Sequence, residues 1–369
     1  MFKTAWRMLW KEKTRFFITT AGIAFSVLLI LFLFGIYDGV KKGATSYVQN
    51  NEADIWICQK NSTNLLRSSS FLSAAFNKEI KDIDGVQQVS VILRVLTTAE
   101  INGKKVTMFI FGYNPESKLG RPPYLEAGND DMHSGQIIID KAFAAKHHFS
   151  VGDSLSILER SFQIAAISRE TNAVVTQFAF TTLDDAQKLL GFPNVCSFYI
   201  VKTDSDKNSQ AIIDKLSGYY PNYAIFNRQD FTNNNLTELK SGILPILWTI
   251  AILGSFTGIA VITLMLYGSV LEKKEDYALL KAIGSSQGYI SSLVLKKSLI
   301  GAIFGFTLGV SVNALMIPVI SKLVPEISVV LTKTALLAVF IISVFICCCG
   351  SLLPIQKLSK IYPGEVFRA

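Results

Sequence analysis

Four long stretches without a single charged side chain, 16–37, 241–271, 298–321 and 334–356, constrain this chain more than any other feature. Each exceeds the roughly 20 residues that a helix rising 1.5 Å per residue needs to cross a hydrocarbon core about 30 Å thick. The sequence therefore predicts four membrane-spanning helices. A cleaved signal peptide explains the first run less well, since such peptides carry an apolar stretch of about 7 to 15 residues and a small-residue cleavage site. Only 17% of the 369 residues are charged and the mean hydropathy is +0.37. A soluble chain normally carries about 25% charged residues.

The placement of the remaining charges orients these spans. Residues 1–15, 272–297 and 357–369 together hold thirteen basic and five acidic side chains, which accounts for the whole net charge of +8. The segments 38–240 and 322–333 sum to zero. Short loops rich in Lys and Arg stay in the cytoplasm. Both termini and the 272–297 loop are thus expected inside, with 38–240 and the short 322–333 loop outside. A sequence pI near 9.1 then reports topology and contact with anionic headgroups of the lipid bilayer, not nucleic acid.

Between 38 and 240 the texture changes to short β-rich runs separated by turn residues, the pattern of an α+β domain. Strands are expected at 53–59, 86–98, 105–112, 195–202 and 223–227, with helices at 70–83 and 206–218. The two strands after residue 86 form a hairpin that turns at Asn102 and Gly103. Two β-α-β halves result, flanking a β-rich insertion at about 113–180 with strands at 136–140, 154–158 and 162–167. Residues 228–242 are polar, helix-compatible and run directly into the second apolar run. One continuous helix is therefore expected from the outer domain through the membrane.

Reactive groups are sparse. Cys58 and Cys196 both fall in the outer segment, where a disulfide between them is allowed, although two buried thiols fit equally well. Cys347, Cys348 and Cys349 diverge by about 100° each on a helix, so they cannot share a metal. Gly284, Ser286 and Gly288 match G-x-S-x-G, but a charged helix precedes them where a nucleophile elbow needs a strand. His133, His147 and His148 lie across the bilayer from that serine, so no triad can form. Gly103-Lys104 lacks the rest of a phosphate loop. No cofactor or metal site and no enzymatic activity is expected.

The spans themselves carry packing signals. Gly301, Gly305 and Gly309 recur every four residues on the third run, and Gly254 with Gly258 on the second; such faces let another backbone approach closely. Whether the contact lies within one chain or between two is open at this level. Residues 1–15 place Phe2, Trp6, Leu9 and Trp10 on one helical face, which suits an amphipathic helix lying among the inner headgroups. The 272–297 loop begins as a short helix ending at Gly284. Exposed between two spans, it is a plausible lever for a soluble partner, and Glu275, Ala278, Leu279, Lys281, Ala282 and Gly284 are its candidate docking residues.

Three blocks carry a family resemblance. They are Lys-Glu-Lys-Thr-Arg at 11–15 with Ala-Gly-Ile-Ala-Phe-Ser at 21–26, Lys-Lys-Glu-Asp-Tyr-Ala-Leu-Leu-Lys-Ala-Ile-Gly-Ser at 273–285, and Leu-Pro-Ile-Gln-Lys-Leu-Ser-Lys-Ile-Tyr-Pro-Gly-Glu-Val-Phe-Arg at 353–368. With the four-span layout and its large outer domain, the chain resembles the MacB/FtsX-type permeases of ABC transporters, the first block also their DevC-like branch. The middle block is similar to the family's coupling helix, departing from it at Asp276-Tyr277. The resemblance implies a homodimer in the inner membrane and a separate ABC ATPase that binds the ATP. It also implies mechanotransmission of ATP-driven motion to the outer domain to expel a substrate, with a periplasmic adaptor and an outer-membrane channel. The alternatives it leaves are an FtsX-like regulator of a cell-wall hydrolase and a lipoprotein-releasing permease.

Overall fold

A computed structural model of the chain describes residues 13–66, 68–101, 103–172, 177–204, 209–242, 244–326 and 328–360. Most of the expected amphipathic helix at 1–15, and the tail beyond 360, lie outside the described residues. The chain divides into two compact units. A helical unit takes the residues through Asp38, Leu244–Ile320 and those from Val329 onward, and an outer unit takes Gly39–Ile243 with Ser321–Ser328.

The first described helix is α1 (Lys13–Gln49). The outer unit then builds β1 (Ile55–Gln59), β2 (Leu72–Ser73), α2 (Asn77–Lys81), β3 (Val86–Ile101), β4 (Lys104–Tyr113), β5 (Leu125–Gly128), β6 (Gln136–Asp140), α3 (Lys141–His147), β7 (Ser154–Ile157), β8 (Arg160–Ser168), β9 (Gln177–Thr182), α4 (Leu183–Leu190), β10 (Val195–Cys196), β11 (Phe198–Thr203), α5 (Ser209–Tyr219), β12 (Tyr223–Asn227) and α6 (Arg228–Gly242). There follow α7 (Leu244–Glu272), α8 (Lys274–Ala282), α9 (Gln287–Leu323) and α10 (Lys333–Ser359). The four helices α1, α7, α9 and α10 are long and apolar enough to cross a membrane.

In the outer unit the two β-α-β halves interleave: the strand order β12-β1-β11-β3 is antiparallel at every step, a split arrangement in which each half supplies alternate strands. The insertion expected at about 113–180 is continuous with this sheet. Its strands extend the same sheet beyond β4 through β9-β6-β8, and β7 pairs with both β8 and β3, so that six strands, the long β3–β4 hairpin among them, close into a ring. The hairpin closes on Gly103 at φ +74°, which pairs Ile101 with Lys104. Alternation along the strands fills the ring with Leu93, Val95, Met108, Ile110, Ile137, Ile139, Ile157, Phe162 and Ile164. The opposite faces of β4 and β9 send Phe109, Phe111, Phe178 and Phe180 into a second core around Tyr47 and Trp56.

The helix expected at 70–83 is broken. Leu72 and Ser73 pair with Cys196 and Val195, a single tight turn spans Ala74–Phe76, and only Asn77–Lys81 is α-helical. The Tyr199 hydroxyl explains the break, because it donates to the Ser73 carbonyl and accepts from the Phe76 amide, taking groups a helix would use. Of the two alternatives left open for Cys58 and Cys196, the structure holds the pair of buried thiols. Cys58 and Cys196 are free thiols; Cys58 faces the core around Trp56, whereas Cys196 faces the cluster on the other side of the sheet with Ile55 and Ile57. Burial pushes each thiol up to about 12.

Candidate functional site

The charged segment after α7 folds into α8 with two distinct faces. Glu275 and Asp276 lie in its first turn and Lys281 in its last, the sense that complements the helix dipole. Tyr277 and Ala278 are buried, 1% and 0% exposed, in a cluster with Val270, Ile290, Leu293, Val294 and Leu358. Glu275, Asp276, Leu279, Ala282 and Ile283 are exposed. Their offsets of one, four, seven and eight residues from Glu275 place them on one side of the helix. Gly284 ends the helix at φ +92°, a left-handed conformation that glycine adopts without strain, and its surroundings are open.

Two of the candidate docking residues are therefore reassigned. Ala278 belongs to the buried side. Lys281 turns to α10, its ammonium donating to the carbonyls of Leu358 (2.8 Å) and Ser359 (3.2 Å). Carbonyls in the last turn of a helix lack partners of their own, and a cation satisfies them well. Ile283, 71% exposed, joins the outward face instead. The spacing of Tyr277, Ala278 and Lys281 was the signal that separates the two sides, and Tyr277, where the sequence departs from the family pattern, fills the buried one.

The glycines belong to contacts inside the protomer. A Cβ built on Gly305 would sit 2.5 Å from Ile23 Cγ2, and one on Gly309 would sit 2.8 Å from the Ala24 carbonyl oxygen. Gly301 faces Ile23 at 3.4 Å. On α7, Gly254 meets Leu29 and Gly258 meets Ser26. Both glycine faces thus pack on α1, and Gly350 lets α10 approach Ile262 of α7. Ser298 Oγ donates to the Cys347 carbonyl at 2.9 Å, tying α9 to α10. Between α1 and α7, Leu33, Phe34, Tyr37, Leu244, Leu247, Trp248 and Ala251 line an apolar cavity of about 220 Å³.

The ends of two helices are fixed firmly inside the outer unit. Tyr47 of α1 is fully buried among Trp56, Phe111, Phe178 and Phe180 and donates to the Gly120 carbonyl at 2.7 Å. At the start of α6, Arg228 reaches the buried Asp54 at 2.6 Å, Phe231 stacks on Trp56 at 4.9 Å, and Asn235 accepts from the Leu65 amide at 2.8 Å. The loop after α9 also joins this unit. Glu326 accepts from Lys146 (2.7 Å) and Gln177 (3.2 Å), and the Ser328 carbonyl lies where a Cβ on Gly39 would stand. Residue 243, between α6 and α7, is outside the described residues, so the expected single helix from 228 to 270 is seen as two described helices flanking it. Among the described residues no cluster of His, Cys, Asp and Glu can hold a metal ion.

Comparison with known proteins assigns both units. Residues 16–219 match the MacB-like periplasmic core domain and residues 248–363 the FtsX-like permease C-terminal domain. A relative from Staphylococcus epidermidis bearing the name hemin transport system permease protein HrtB is 23% identical over 367 residues, 98% of this chain and 97% of that one. An uncharacterized ABC transporter permease of Methanocaldococcus jannaschii is 22% identical, over 99% of this chain and 96% of its own. Among solved structures, the periplasmic region of MacB from Actinobacillus actinomycetemcomitans aligns with 50% of this chain and 94% of its own, at 10% identity and a TM-score of 0.38.

Proposed function

Because the chain belongs to the MacB/FtsX-type permeases of ABC transporters, we propose that it is the membrane subunit of an exporter that passes the ATP-driven motion of a separate ATPase to its outer unit. The observation that carries this reading is the division of α8. Its outward side offers Leu279, Ala282 and Ile283 beside the acidic pair Glu275 and Asp276, an apolar patch with a charged margin suited to a soluble partner. Its inward side is packed on α7 and α9 and bonded to α10. A push on α8 is therefore a push on three spanning helices.

In this reading two copies of the chain assemble with two ATPases on the cytoplasmic side, and the +8 charge bias supports that orientation. A periplasmic adaptor and an outer-membrane channel complete the exporter in a two-membrane cell. The buried anchors of α1 and α6 in the outer unit suit them to receive motion and pass it on without slack. Hemin is the cargo in the name of the S. epidermidis relative. The test is reconstitution of the full chain in nanodiscs with the ATPase recovered with it from its native membrane. Leu279→Asp is expected to abolish ATPase association while insertion and thermal stability are kept. Undiminished association would refute the docking site.

A further inference from the structure

The outer unit leaves one length of strand without a strand partner on one side, where the Gln88 side chain donates to Ser117 Oγ at 3.1 Å in the chain leaving β4. β11 pairs with one side of β3 from Val86 to Ile92, and β4 pairs with the other side only from Ile92 to Ile101. Along Val86–Val91 the side of β3 turned away from β11 therefore has no strand partner among the described residues. A strand edge of this kind presents unpaired backbone donors and acceptors, the template on which an extended peptide adds. Six residues span about 17–20 Å, the length of an ordinary strand.

This open edge is not turned to bulk solvent. Val89, Ser90 and Val91 form one wall of a cleft of about 880 Å³, which also receives the chain leaving β4 and the first turn of α4. The cleft carries four carboxylates, from Glu116, Asp130, Asp131 and Asp184, and its lining includes no Lys or Arg among the described residues. Arg121 neutralises Asp130 at 2.8 Å. Glu116, Asp131 and Asp184 form no ion pair among the described residues, and all three are exposed. A further polar group lacks its counterpart: Ser90 is 3% exposed, lines the cleft, and its hydroxyl has no hydrogen-bond partner.

We propose that this cleft is a strand-addition site for a Lys- or Arg-rich extended segment of a second protein, which pairs its backbone with Val86–Val91 while its alternate side chains meet Glu116, Asp131 and Asp184. Backbone pairing supplies the direction and the carboxylates supply the selectivity. A neutral or acidic segment gains the first without the second, and an acidic one is repelled. The site lies wholly in the outer unit and does not depend on how the ATPase docks.

The test uses the full chain in zwitterionic nanodiscs and a fluorescein-labelled peptide of four Lys-Thr repeats, followed by anisotropy. Saturable binding is expected, weakened about tenfold or more by Glu116→Gln with Asp131→Asn and Asp184→Asn, changes at exposed positions that leave folding intact. A version with prolines at two central threonines keeps the charge but cannot pair along the edge, and it is expected to bind about tenfold more weakly. Hydrogen exchange at Val89–Val91 should slow when the Lys-Thr peptide binds. The proposal is overturned by absence of saturable binding, by equal binding of a Glu-Thr peptide, by an unaffected proline version, or by binding that spermine reproduces without slowing exchange at the edge.

Discussion

Replacing Gly305 or Gly309 by alanine tests the placement of α1 against α9 with a perturbation of one methyl group. At Gly305 the new carbon would stand 2.5 Å from Ile23 Cγ2, 2.6 Å from its Cβ and 3.2 Å from the Thr20 carbonyl oxygen. At Gly309 it would stand 2.8 Å from the Ala24 carbonyl oxygen and from Val27 Cγ1. Ile23 and Val27 are β-branched and stiff at χ1, so rotamer changes give little relief. The helices must separate by about 0.6 to 0.9 Å to restore ordinary contact at 3.4 Å. Overpacking of this kind costs about 1–3 kcal/mol, offset by at most about 1 kcal/mol from the better helix propensity of alanine. Gly268 on α7 and Gly288 on α9 have nothing within 4 Å and serve as controls, since alanine there keeps only the propensity gain. Unfolding in mixed micelles titrated with SDS should place Gly309→Ala about 2 kcal/mol below Gly268→Ala, with Gly301→Ala near neutral. If all five variants unfold alike, the glycine face is not packed on α1. Loss of dimer at unchanged stability would move that face to the contact between protomers.

Lys281→Met keeps the aliphatic stem and removes the donors to Leu358 and Ser359; ATPase association should persist, ATPase stimulation should fall several-fold, hydrogen exchange in the last turn of α10 should quicken, and Lys281→Arg should recover part of the loss. A Lys281→Met protein with full stimulation would remove α10 from the transmission path. Cys58 and Cys196 hold their protons up to about 12 in the folded chain, against an ordinary value of 9.0. Their folded values are raised, so the stability they contribute is complete below pH 9 and lost as pH climbs from 9 towards 12. Maleimide should therefore leave both unlabelled at pH 8 until the chain is denatured, and Cys58→Ala with Cys196→Ala should flatten part of the alkaline fall in stability.

How much was legible beforehand divides along physical lines. The spans were plain because membrane solvation leaves a signature of composition and length alone: α1, α9 and α10 each contain their predicted run, and α7 covers the predicted 241–271 run from Leu244 onward. Short β-rich runs bounded by turn residues, such as β6 at 136–140 and β12 at 223–227, appeared with their predicted limits. What escaped was decided by partners distant in sequence. The ring of strands needs β7 to meet β3 at Ala99 and Glu100, more than 50 residues away, and the helix expected at 70–83 loses to a tyrosine hydroxyl 123 residues downstream of Phe76. The helix α3 with its Asp140 cap and the helix α4 with its Thr182 cap were missed although their capping residues were in view. At α8, the residue types marked the segment as a lever, but only the packing of Tyr277 and Ala278 on α7 and α9 shows which side is turned outward.

The central claim is that ATP-driven movement of α8 reaches the outer unit. Spin labels on cysteines introduced at Lys104, an exposed position in the β3–β4 turn, report the distance between the outer units of two protomers in the reconstituted complex. The distance distribution should shift on addition of ATP and vanadate in the otherwise unaltered chain and stay fixed when Leu279→Asp is also present. A distribution that ignores ATP in the unaltered chain, with the ATPase bound and active, would contradict the account.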